Sequence, residues 1–358
     1  MVAQPLGPGY RQRSVASMNR QLIVLLLLVV AGCSRSESVG SRDLATSNES
    51  GALTLHPTVD FDHWSSVFPI ETFQKTSGPR QFSTTEKENP LDLWKPSGAI
   101  ITSPAHLCEI ELVRKQYAST QDLGPPVPVD IFLWSINPPA KPFLTKLGGT
   151  PHRESTKPWP NHNGEPFTFV AQFCFADSRE IVSKKIPGDV LLIFFKNADA
   201  LYEGGSIHVE WSSMQLDSPI TADECPRPSF TVPQLSGHIY RTNEYPESWD
   251  VFEQAGHEQC YLFPTTQSTK IGRETFFTQN DPRGPDDELL CALNSVHPKT
   301  YPPGAKWPFI GLETLPEDWD KPDEHYGWGK YRMMFADVGC MYFLIDKNGN
   351  VSWTWDSY

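Results

Sequence analysis

The clearest periodicity in the chain lies at residues 166–176, where Phe167, Phe169, Ala171, Phe173 and Phe175 alternate with Thr168, Val170, Gln172, Cys174 and Ala176. Period two over that length predicts a strand with one buried aromatic face. Asp177-Ser178 then offers an N-cap, and residues 179–185 read as a short helix with basic residues in its last turn. After a Pro187-Gly188-Asp189 turn, residues 190–195 are apolar without alternation, as in a strand covered on both faces. Ile207-His208-Val209-Glu210-Trp211 alternates again.

A related order returns downstream. Thr145-Lys146-Leu147-Gly148 is echoed by Thr269-Lys270-Ile271-Gly272, and the strand holding Gln172 by Glu288-Leu289-Leu290-Cys291-Ala292-Leu293. The apolar run after Gly188 is echoed by residues 337–345. Between the last two elements the second copy carries an insertion, residues 297–330, rich in Pro, Trp and acid. Lys347-Asn348-Gly349-Asn350 predicts a tight hairpin turn, its Asn-Gly step supplying the positive φ angles, with residues 351–355 as the closing strand. The expected fold is α+β: two related halves built on mainly antiparallel sheets, with short helices and loops stiffened by many of the 33 prolines.

The N-terminus obeys a different pattern. Residues 1–32 hold no acid and three arginines, Arg11, Arg13 and Arg20, and the apolar run at 22–31 is too short to span a bilayer. Small residues Val30-Ala31-Gly32 precede Cys33. That layout is a secretory signal, and it resembles a bacterial lipobox, in which the cysteine is acylated and the leader removed. The expectation is a lipoprotein of the bacterial cell envelope with residues 1–32 as signal peptide and Cys33 as the membrane anchor. Ser34 suits outer-membrane delivery in bacteria that sort on that position. Residues 33–51, dominated by Ser, Glu and Asn, read as a flexible tether. Residues 52–130 form an N-terminal extension of the folded body, and residues 131–358 the duplicated domain.

Charge narrows the partners. The net charge is −13, and loss of the three leader arginines takes the mature chain to about −16. Nucleic-acid binding rests on cations that neutralise phosphates, so this balance argues against it. It argues equally against electrostatic docking on anionic lipid, which leaves acyl chains to hold the membrane. Besides Cys33, six cysteines remain: Cys108, Cys174, Cys225, Cys260, Cys291 and Cys340. They allow disulfides in an exported chain, and no pairing follows from spacing. Buried thiols are the alternative, Cys174 above all because it sits in a strand-like run. No CxxC pair, metal-ligand spacing or cofactor motif is present, so no metal or cofactor is expected.

The segment at 143–151, Phe-Leu-Thr-Lys-Leu-Gly-Gly-Thr-Pro, with Lys157-Pro158-Trp159-Pro160, Phe169-Val170-Ala171-Gln172 and Pro187-Gly188-Asp189-Val190, resembles the ordered signature of the YwqG-like bacterial proteins, a family of undefined function. The resemblance covers roughly residues 130–346. It implies a duplicated α+β fold with mainly antiparallel strands and supplies no reaction. The second copy departs from the pattern, with Arg273 and Ala292 where glycine and glutamine are common.

The candidate ligand-binding residues are Lys146, Gly148, Gly149, Trp159 and Gln172, with Lys270 and Gly272 in the second copy. Glycines permit close backbone approach to a ligand, or simply a tight turn before Pro151. The two lysines suit an anionic ligand or an internal acidic partner. A strand glutamine faces a cleft or bonds a neighbouring loop. The 297–330 loop, with Asp318, Trp319, Asp320, Asp323, Glu324, His325, Tyr326 and Trp328, combines acid with aromatics but lacks calcium-loop order. No His-Glu-x-x-His helix, Gly-x-Ser-x-Gly elbow or framed Cys–His pair occurs. The sequence therefore favours a lipid-anchored, non-catalytic binding module whose partner is a protein or an envelope polymer. The alternative is an envelope hydrolase with its site between the two halves.

Overall fold

The computed structural model describes residues 54–59, 100–101, 104–182, 185–203, 206–254, 264–277, 279–296, 332–336 and 339–357. The leader, Cys33, the tether, Cys260, the side chain of Cys108 and the 297–330 insertion lie outside the described residues.

In chain order the elements are β1 (Ile100–Ile101), α1 (Pro104–Ala118), β2 (Val127–Ser135), β3 (Lys146–Leu147), β4 (Asn161–His162), β5 (Glu165–Pro166), β6 (Thr168–Cys174), β7 (Val190–Phe195), α2 (Ala200–Glu203), β8 (Ile207–Ser212), β9 (Leu235–Glu244), α3 (Trp249–Gln254), β10 (Gln267–Ser268), β11 (Lys270–Gly272), β12 (Glu288–Asn294), β13 (Cys340–Ile345) and β14 (Val351–Asp356). Ten strands form one antiparallel sheet in the order β14-β13-β12-β11-β2-β9-β3-β6-β7-β8.

This overturns the expected α+β fold in two halves. The protein is mostly β, and the sequence echoes share a single sheet. Each short β3-type strand pairs across the middle with the long strand of the other copy: β3 with β9, and β11 with β2. Neither copy can then close a sheet alone. Lys146 stands opposite Gln172, and Lys270 stands opposite Ala292, so the echoed positions occupy matching registers.

The sheet curls so that both edge strands rest on one core. Ile207, Val209 and Trp211 of β8 and Val351, Trp353 and Trp355 of β14 pack on the same cluster, which includes Phe132, Phe173, Phe195, Leu290, Phe335 and Phe343. On the outer face, Val129, Ile131 and Leu133 of β2 pack with Leu107 and Ile110 of α1 and Phe252 of α3. Elsewhere on that face, Val190, Leu192 and Phe194 of β7 join Phe167, Phe169 and Trp159. β7 is thus covered on both sides, as its unbroken apolar run predicts.

The 166–176 strand is not a single aromatic face. The register slips between Phe169 and Ala171. An extra residue in one strand turns every later side chain to the opposite side. Phe167 and Phe169 therefore face the outer cluster, while Phe173 and Phe175 join the inner core. The same slip recurs between Leu289 and Cys291 on β12.

The 179–185 helix does not form. Residues 179–181 are turn and the other described residues of that stretch, 182 and 185, are irregular, and the expected cap is occupied elsewhere. The Asp177 carboxylate accepts the amides of Leu55 (2.9 Å) and His56 (2.8 Å) and the His56 Nδ1–H (2.7 Å). The Ser178 hydroxyl donates to buried Asp130 at 2.6 Å. The hairpin turn before β14 also differs in detail: Gly349 takes positive φ (+86°) and Asn348 does not, while Asp346 accepts the amides of Asn348 and Asn350.

Asp177 anchors a strap, residues 54–59, that runs parallel to β9 through Thr58 and Ile239. Burial of Asp177 opposes its charge, but the His56 ring and the two amides outweigh it and hold the carboxyl below its ordinary range. A carboxyl depressed on folding stabilises above its unfolded pKa, and that contribution fades as pH falls through the folded value. Urea unfolding from pH 6 down to about pH 3 is expected to show wild type losing more stability than Asp177→Asn. Parallel losses would show that the carboxylate does not hold the strap.

Candidate functional site

A cavity of about 460 Å³ opens where the turn after β3 meets the segment leading into β9. Gly148, Gly149 and Thr150 form one wall, Trp159 and Phe169 a second, and Cys225, Pro226, Arg227, Pro228, Val232 and Gln234 a third.

Gly148 and Gly149 have φ of +56° and +72°, a left-handed pair that residues with a Cβ adopt only under strain. Their surroundings differ. A Cβ on Gly148 would lie 2.7 Å from the Pro233 carbonyl oxygen, so that glycine is required by packing. A Cβ on Gly149 would meet nothing nearer than Gln234 Oε1 at 3.9 Å. Gly149 therefore leaves room at the cavity wall.

Lys146 lies behind this turn, its ammonium donating to Pro142 O (3.1 Å) and Thr150 O (2.6 Å). Burial lowers its pKa to about 8, opposed by Cys225. Among the described residues it has no carboxylate partner. Trp159 is fixed by its indole N–H, which donates to Phe167 O at 2.7 Å, and by Phe194 edge-on at 5.4 Å. Arg153 sits 5.7 Å over the indole ring. This arginine is 2 % exposed, and donates to Glu210 (2.5 Å), Lys157 O (2.8 Å) and Pro158 O (2.6 Å).

The structure thus brings Gly148, Gly149 and Trp159 to one cavity with Lys146 beside it, and places the other candidates elsewhere. Gln172 is fully buried. Its oxygen accepts the His152 amide, and its nitrogen donates to Pro142 O and Leu144 O, which fixes the loop that carries Lys146. Lys270 is also fully buried and donates to both Glu244 oxygens (2.8 and 3.0 Å) and to Thr266 O (2.6 Å). Both lysines reach the carbonyl four residues back, but only Lys270 finds an acid. A Cβ on Gly272 would lie 2.8 Å from Val129 Cγ2, so its need for glycine is one of packing on β2.

Cys225, Arg227, Phe169 and Gln234 were not foreseen as cavity residues. Prolines at 226 and 228 stiffen this segment, but what it faces depends on β9 folding back beside β3. The four described cysteines are free thiols, with Cys174, Cys291 and Cys340 buried and Cys225 partly open. Burial pushes the Cys174 thiol up to about 11, and those of Cys291 and Cys340 well above the ordinary range. In the native state Cys225 is expected to alkylate first of these four, and the buried three only on unfolding, as peptide mapping by mass spectrometry would show. Rapid native labelling of Cys291 or Cys340 would contradict the buried placement.

One constellation has the form of a hydrolytic triad. Asp177, His56 and Thr145 run acid, imidazole, hydroxyl, with Nδ1 2.7 Å from Asp177 and Nε2 3.1 Å from Thr145 Oγ1. His56 and Thr145 are each 1 % exposed. The Thr145 amide also donates to Nε2, and Thr145 Oγ1 accepts the Cys174 amide. These bonds tie the strap to the sheet and leave the hydroxyl no approach for a substrate. Among the described residues, no three His, Cys, Asp or Glu side chains are grouped to hold a metal ion.

No curated protein matches the chain. The family model described as a domain of unknown function, DUF1963, matches residues 145–350, from the threonine before β3 to the turn that precedes β14. More than half of the chain lies in that match, and the chain belongs to the DUF1963 family.

Proposed function

We propose that this chain is a YwqG-like, lipid-anchored binding module of the bacterial cell envelope, holding one group of a protein or envelope polymer in the Gly149–Trp159 cavity. The anchor is Cys33, supported by the basic leader, the short apolar run and the small residues before it. The observation that carries the binding reading is the shape of the cavity. A rigid aromatic wall, a glycine without a filling side chain and two proline-stiffened turns make a preformed concave site, as ligand sites commonly are. Lys270 and Gln172, the polar candidates away from the cavity, are committed to internal bonds.

Soluble disaccharide–peptide fragments of peptidoglycan serve as a probe of the polymer class. Hydrogen exchange of the full chain with these fragments is expected to slow at residues 148–150 and 225–234. Gly149→Val, which drives a branched side chain into the open wall, is expected to remove that protection. Protection confined to other segments would defeat the site assignment. Mass spectrometry of the native protein showing an unmodified Cys33 would defeat the anchor.

A further inference from the structure

Lys146 is a buried cation in a strongly acidic chain, yet its partners are two carbonyl oxygens. One of them belongs to Thr150, which lines the cavity. Arg227 stands on the opposite wall, exposed, and none of the described ion pairs includes it. Of the two acids beside this rim, Asp223 is exposed, and Glu224 is turned into its own turn, where its carboxylate accepts the Thr221 amide (2.7 Å) and hydroxyl (2.8 Å). The cavity therefore has one cation on its wall, Arg227, and a second, Lys146, behind the wall at the Thr150 carbonyl, neither in an ion pair among the described residues. The remaining walls are the aromatic faces of Trp159 and Phe169 and the rings of Pro226 and Pro228.

We infer that the ligand of this cavity is an organic acid: a carboxylate met by Arg227, in the field of Lys146 behind the Thr150 wall, on an apolar body that packs against Trp159, Phe169 and the two prolines. This rests on the binding-module reading and assigns its ligand class. A buried ammonium without a counter-ion favours an anion on the far side of the wall it supports, because a buried charge is screened less than an exposed one. The lowered pKa of about 8 leaves Lys146 mostly protonated at pH 7. The missing Cβ at Gly149 lets the carboxylate approach the turn backbone. The carboxylate has two sources, the C-terminus of a peptide or a free aromatic acid.

The test is calorimetric titration of the full chain at pH 7 with N-acetylphenylalanine, its C-terminal amide, and benzoate. N-acetylphenylalanine is expected to bind about tenfold more tightly than the amide, the scale of one charge-assisted hydrogen bond. Benzoate binding as well as N-acetylphenylalanine assigns a free acid, and weaker binding assigns a peptide terminus. Lys146→Met and Arg227→Gln are each expected to shrink the acid-over-amide preference without weakening the amide. Arg227 is exposed, so Arg227→Gln reports even where Lys146→Met unfolds. Equal affinity for acid and amide, or a preference unchanged in Arg227→Gln, overturns the organic-acid inference and leaves the cavity reading intact. No binding by any of the three probes overturns the organic-acid inference, and the cavity reading falls with it only if the peptidoglycan fragments also leave residues 148–150 and 225–234 unprotected.

Discussion

Glu244→Ala is expected to destabilise the protein by about 3–5 kcal/mol, the cost of leaving a buried ion without its partner. Lys270 has no solvent exposure, and Glu244 takes both its ammonium and the amide and hydroxyl of Thr266. Removing the carboxylate orphans the Thr266 amide and leaves the buried ammonium without a counter-ion, held only by the Thr266 carbonyl. Burial already lowers the Lys270 pKa, with Glu244 the main force opposing it. Without Glu244 the lysine sheds its proton more readily, so the cost should grow as pH falls and the unfolded chain takes that proton up. Urea unfolding at two pH values measures this. The double variant Lys270→Met/Glu244→Leu should recover most of the loss, because an apolar pair of similar size needs no desolvated charge. If the double variant is as unstable as Glu244→Ala, packing rather than charge pairing governs this site.

Arg153→Leu is expected to cost a similar amount, about 3–5 kcal/mol. The guanidinium is buried against Glu210 and donates to two consecutive carbonyls, Lys157 O and Pro158 O, which present Trp159. Leucine leaves a largely buried carboxylate and two carbonyls unsatisfied, and it removes the cation from the indole ring. Trp159 should then lose its fixed place. The effect therefore has two readouts: a lower urea midpoint, and a more mobile indole at the cavity wall, seen as a lower fluorescence anisotropy relative to Trp159→Phe in the same background. A large stability loss with the indole still fixed would separate Arg153 from the cavity.

The candidate residues show how far spacing alone reaches. Lys146 and Lys270 occupy equivalent places in the echoed segments, and both bond the carbonyl four residues back. No local feature distinguishes them. What separates them is Glu244, at the far end of β9, which β10 and β11 bring beside Lys270, while the matching position near Lys146 offers only the Thr150 carbonyl. Gly148 and Gly149 are likewise adjacent and alike in φ, and only the course of residues 232–234 decides that one is packed and the other open. Asp177-Ser178 has the form of a helix cap. It became a clamp because a strap more than 120 positions earlier supplies donors of its own.

Local pattern by itself determined the strands at 168–174, 190–195 and 207–212, the two-faced burial of β7 and the closing hairpin, because alternation and turn chemistry act over a few positions, but it did not mark the long central strands β2 and β9. It also carried the leader and anchoring cysteine as a reading of the first 33 residues. The tertiary structure decided that the echoes interleave in one curled sheet, that the long strand changes face at a bulge, and which of two equivalent lysines is neutralised. Those outcomes depend on pairing between segments a hundred residues apart, where desolvation and register are settled by the neighbour and not by the residue itself.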